Sequence, residues 1–64
     1  MTAEHFKNWI AVMGWNDSQV ASALALSRNS VAKYKREGAP LNIGLACAAL
    51  AAGLAPWTGE GAKQ

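Results

Sequence analysis

The chain has one cysteine, one histidine, few β-branched residues and, from Gly38 to Gly59, not one charged side chain. A single cysteine excludes an internal disulfide. Cys47 sits among alanines in the most apolar stretch, where it reads as a small buried residue of a reducing cytoplasm. With one histidine and no clustered acids, neither a catalytic constellation nor a metal site can be assembled. The expectation is a non-enzyme with no metal, no cofactor and no small-molecule ligand, and His5 reads as an exposed first-turn residue. The apolar run between Asn42 and Pro56 falls short of the ~20 residues that a membrane span requires. Polar Thr2, Glu4, His5 and Lys7 open the chain with no apolar segment of a secretory signal behind them, so a cytoplasmic protein is expected.

What is present is alanine, leucine and helix punctuation. At 64 residues the chain makes one domain, and 52% hydrophobic content argues for a packed globule over a disordered tail. A chain of this length buries only about 60% of the surface its unfolded form exposes. Thr2 caps a first helix of residues 3–13, with Glu4 in its first turn. Phe6, Trp9, Ile10 and Met13 form its apolar stripe at i, i+3, i+4 and i+7, and Gly14 ends it.

Asn16 and Gln19 form a capping box for a second helix through Leu24, whose inward residues are Val20, Ala21 and Leu24. Ala25-Leu26-Ser27 breaks the pattern, and Ser27 caps a third helix in which Val31 and Tyr34 face inward. Gly38 ends that helix, and Pro40 biases Ala39 away from helical geometry. A fourth helix of about residues 41–52 carries Leu41, Ile43, Leu45 and Leu50, with Gly53 after it and Pro56 forbidding continuation. Trp9, Trp15 and Trp57 read as core rather than as stacking platforms for bases. The expected architecture is all-α, a four-helix domain of residues 1–57 containing a helix-turn-helix at 17–36, with a disordered tail of residues 58–64.

The net charge is +2, unevenly placed. Arg28, Lys33, Lys35 and Arg36 lie within nine positions, while the rest of the chain carries Lys7 and Lys63 against Glu4, Asp17, Glu37 and Glu60. A basic patch on a slightly acidic body is the footprint of a nucleic-acid contact face. The window around it meets three demands of a tight two-helix corner at once. Ala21 is small where the helices touch, Val20, Leu24, Leu26, Val31 and Tyr34 supply a shared core, and the second helix is basic on its outer side.

Residues 16–38, NDSQVASALALSRNSVAKYKREG, resemble the helix-turn-helix of the phage Cro and repressor (Xre-type) family. Ala21, Leu26, Ser27, Val31 and the Ser-Arg-Asn-Ser opening of the third helix carry the likeness, which extends more loosely over helices one and four. The short chain is also similar to small phage regulators such as the anti-CRISPR-associated repressors. Two positions depart from the family pattern. Ala25 stands where the family usually has a turn glycine, which implies a turn shaped slightly differently. Asp17 stands where it often has a backbone-contacting glutamine, so that contact is not carried over, and Asp17 reads as a first-turn acid that stabilises its own helix.

The geometry of such a motif puts the start of the third helix in the major groove. Arg28 is matched to guanine O6 and N7, Asn29 to adenine N6 and N7, and Lys33 to a further guanine or a phosphate. Ser27, Ser30, Lys35 and Arg36 suit phosphate or short contacts. A helix apolar on every side needs cover on more than one side, so a homodimer through Leu45, Ala48, Ala49, Ala52, Leu54 and Trp57 is expected. The resulting function is a dimeric repressor that binds double-stranded operator DNA of two-fold symmetry. The alternative is an antitoxin-like or adaptor module that grips another protein through helix four.

Overall fold

The computed structural model describes residues 1–59, and among them every regular element is helical. Four helices follow in order: α1 (Ala3–Met13), α2 (Asp17–Leu24), α3 (Arg28–Glu37) and α4 (Leu41–Ala51). The starts of the first three are set by side chains, as their sequences require. Thr2 Oγ1 accepts from the His5 N–H at 3.0 Å. Asn16 Oδ1 accepts from the Gln19 N–H at 2.8 Å while Gln19 Oε1 accepts from the Asn16 N–H at 2.9 Å, closing the capping box. Ser27 Oγ accepts from the Ser30 N–H at 3.1 Å. Each satisfies a backbone donor that the helix itself leaves unpaired. Helix α4 begins after Pro40 with no side-chain cap, its first turn relying on the fixed φ of proline.

The apolar stripes converge as their spacing dictates. Phe6 and Trp9 of α1, Val20 and Ala21 of α2, Val31 of α3, and Ala39, Ile43 and Cys47 around α4 are buried. Ile10, Met13, Leu24, Leu26 and Tyr34 pack partly buried against them. Phe6 is the hub. Its ring stacks on Trp9 at 5.9 Å and meets Tyr34 edge-on at 5.9 Å, while Trp15 closes edge-on over Trp9 at 5.8 Å. Such pairs add about 0.5–1.5 kcal/mol each beyond the area they bury. Trp57 departs from the expected core role: it is 72% exposed. Of the tail expected to be disordered, Thr58 and Gly59 are exposed and residues 60–64 lie outside the described residues.

Two turns hold the helices at their angles. Ala25 adopts φ 55, ψ 44, the left-handed conformation a glycine would take, and the Leu26 N–H reaches back to the Ala21 carbonyl at 2.8 Å. The turn therefore keeps the glycine geometry and bears the strain, ~1–2 kcal/mol, rather than reshaping. Gly38 does more than end α3. At φ 96, ψ 166 it occupies a region open almost only to glycine. A Cβ there would lie 2.8 Å from the Met1 carbonyl oxygen. That approach lets the Ala39 N–H donate to Met1 O at 2.9 Å and Met1 N donate to Ala39 O at 3.3 Å, clipping the start of the chain to the α3–α4 corner.

Three changes test these points. Gly38→Ala combines a forbidden φ with a backbone clash and is expected to cost about 2 kcal/mol or more, lowering the thermal midpoint by roughly 10 °C. Ala25→Gly relieves the left-handed strain against the greater chain entropy of glycine, for a net gain of up to about 1 kcal/mol in the same melt. Burial pushes the Cys47 thiol above its ordinary value. The folded state thus holds that proton more tightly than the unfolded chain. Its contribution is intact below the unfolded value near 9.0 and is lost as pH rises through the folded one. Urea titrations from neutral to alkaline pH should show a steeper alkaline loss of stability for the native chain than for Cys47→Ala.

Candidate nucleic-acid interface

Helix α3 lies against both α1 and α2 through its inner side, so its outer side is turned to solvent by construction. At 100° per residue, Val31 and Tyr34 mark the buried direction, Asn29, Ala32, Lys33 and Arg36 fall on the opposite arc, and Arg28 stands at its edge. All five are exposed. The three residues proposed from sequence to read bases thus share one face, with Arg36 extending it by a turn.

The basic side chains are not equivalent. Lys35 Nζ lies 3.1 and 3.3 Å from the two carboxylate oxygens of Asp17, tying the C-terminal half of α3 to the first turn of α2. Both side chains are more than a third exposed, so the pair stabilises little, about 0–1 kcal/mol. It does set a carboxylate beside the ammonium. Arg36 stands 3.7 Å from its neighbour Glu37, both largely exposed. Among the described residues neither Arg28 nor Lys33 has a hydrogen-bonding or ion-pair partner. Ser27 and Ser30 hydroxyls are engaged with each other at 3.1 Å within the cap, which leaves them lone pairs and edge positions rather than free reach.

Sequence reasoning passed over the sign of the first turn of α3. Helices α1 and α2 each place an acid there, Glu4 and Asp17, where the helix dipole favours negative charge. Helix α3 has no first-turn acid and opens with Arg28 instead. That choice works against the stability of the isolated helix. Together with the free N–H groups of the first turn, it makes an electropositive end suited to meet an anion supplied from outside. The signal was legible in principle, as the one helix start of the three capped ones without an acid.

A second surface lies away from this face. The C-terminal end of α2, one side of α4 and the Leu54–Pro56 segment enclose an open apolar groove of about 300 Å³. Of the residues expected at a dimer interface, Leu45, Ala48, Ala52, Leu54 and Trp57 are exposed, and Ala49 is half-buried and lines the groove. The alanines at 23, 46, 49 and 55 are the sequence cause, since side chains that small cannot fill the gap between the helices. No group of histidine, cysteine or acidic residues among the described residues could hold a metal ion, and no described helix is long and apolar enough to cross a membrane. No family model, curated protein or solved structure matches the chain.

If the outer face of α3 is free of structural duty, Arg28→Ala and Lys33→Ala should each change stability by no more than about 0.5 kcal/mol. Val31→Ala, which empties space in the core, should cost about 1–3 kcal/mol. Chemical denaturation of the three variants decides it, and a large loss at Arg28 or Lys33 would reassign those residues to the scaffold.

Proposed function

We propose that the chain is a sequence-specific double-stranded-DNA-binding repressor of the Cro and repressor (Xre) type, with α3 lying in the major groove. The observation that carries this reading is the outer face of α3, where Arg28, Asn29 and Lys33 stand exposed and uncommitted beside a helix start without an acid. Arg28 at the first helical position pairs bidentately with guanine O6 and N7. Asn29 does the same with adenine N6 and N7, and Lys33, one turn on, takes a further guanine or a phosphate. Arg36 and the Ser27–Ser30 cap lie along the flank that passes the sugar-phosphate backbone. Lys35, paired with Asp17 at the surface, is the less free of the α3 lysines for the phosphate contact expected from sequence. Repression on this reading is occlusion of a promoter by the bound protein. Two such helices from two copies read a two-fold operator with half-sites about one helical turn apart.

The exposed apolar face of α4 favours one other reading, an antitoxin-like or adaptor module whose working surface is α4. Selection from a random duplex library at near-physiological salt separates the two. The repressor reading expects a palindromic consensus containing guanine and adenine at the positions met by Arg28 and Asn29. Arg28→Ala should then lose about 1–3 kcal/mol of binding free energy and relax preference at one base, whereas Lys33→Ala, if it meets phosphate, should lower the salt slope by about one. A retained pool that stays random refutes the repressor reading.

A further inference from the structure

Among the described residues an uncharged, exposed face begins along α4 and continues through Trp57. Leu41, Leu45, Leu54 and Trp57 are 76, 62, 62 and 72% exposed. On the helical wheel Leu41, Leu45, Ala48 and Ala52 form one stripe opposite buried Ile43, and Ala49 carries that stripe into the rim of the groove. At roughly 100 Å² for each leucine and about 150 Å² for the indole, with the intervening alanines, this face offers on the order of 600 Å² of apolar surface per copy. That is most of the ~800 Å² that each partner of a standard interface buries, and it stands at the upper end of the roughly 300–600 Å² that the largest apolar patch of a monomer spans.

The face also carries both halves of a contact. It has a recess, the groove between Leu24, Ala46, Ala49 and Leu50. It has a projection, Trp57, directly beyond Pro56 on the groove's lip. A surface that holds a knob and a matching hole on the same chain suits an isologous two-fold contact, in which each copy gives and receives the same side chain. With no charge between Gly38 and Gly59, two copies meet without like-charge repulsion, and a charged partner would find nothing to pair with.

From this we infer that the face is a two-fold interface with a second copy of the chain, each copy's Trp57 seated in the groove of the other. The inference deepens the dimeric part of the proposed function. Because it is measured without DNA, its failure leaves duplex recognition by α3 standing. Ala25, in the turn that feeds α3, lines the groove, so the interface and the start of α3 are linked through a short and strained piece of backbone. Closing the groove would therefore fix the separation of the two copies of α3.

Sedimentation equilibrium of the full chain, without DNA and over a wide concentration range, provides the test. A monomer–dimer equilibrium is expected, with the dissociation constant raised about 30-fold or more by Trp57→Ala and by Leu45→Glu. Circular dichroism should show native helix content in both variants, since neither residue belongs to the core. In a mixture of isotope-labelled and unlabelled chains, the Trp57 indole should give intermolecular contacts to the Leu24 and Leu50 methyls. A chain that stays monomeric throughout overturns the inference, as does a dimer indifferent to both substitutions. So does an indole whose contacts to the groove are only intramolecular, which would make Trp57 its own chain's cover.

Discussion

Everything outward-facing on this protein depends on how the core around Phe6 receives the inner side of α3, Tyr34 and Val31. A helix of ten residues with four basic side chains does not hold its shape or position alone in water. Its inner stripe is narrow, with Val31 fully buried and Tyr34 half-buried beside it. The edge-on contact with Phe6 and the stack of Phe6 on Trp9 make those two residues sufficient, because aromatic surfaces bury more area per residue than aliphatic ones. Once Val31 and Tyr34 point inward, the 3.6-residue period leaves Arg28, Asn29, Lys33 and Arg36 no direction but outward. The candidate interface follows from the core through the helical period.

The angle between helices is a separate matter, and here backbone strain does the positioning. Ala25 accepts a left-handed conformation because two hydrogen bonds and the inward Leu26 over-determine the turn. Gly38 accepts a conformation closed to other residues because only without a Cβ can Met1 approach its carbon. Both positions flank α3, one at each end. A domain with few buried contacts per residue has little else with which to fix a helix, so it stores strain in the short connections on either side.

These two layers differ in how well they can be read from sequence. The caps at Thr2, Asn16 and Ser27 and the stripes Phe6–Trp9 and Val31–Tyr34 are local patterns, and each appears in the structure where its residues place it. Local spacing also identifies which side chains of α3 share the outer face. What depends on chain segments far apart was not legible. The clip between Met1 and Ala39 spans nearly forty positions, and Gly38 shows no sign in sequence beyond an ordinary helix terminator. Asp17 reads as a first-turn acid, and it is one, yet its partner Lys35 lies eighteen residues on and was assigned to phosphate. Trp57, far from the basic run, reads as core, yet in the structure it stands 72% exposed, uncovered by the described residues.

The division of charge gives the last physical constraint. Helices α1 and α2 pack against one side of α4, where Ile43 and Cys47 are its buried residues. A charged outer side would have made α4 an ordinary surface helix. Instead the charge is concentrated on α3, and α4 keeps leucine and alanine all round. Two outward surfaces of opposite character result on a body too small to hide either. Among the described residues the polar one has no counter-ion at Arg28 or Lys33, and the apolar one no cover at Leu41, Leu45 or Trp57. On the proposed reading each is completed from outside the chain, one by an anion with ordered hydrogen-bonding edges and the other by a surface as uncharged as itself.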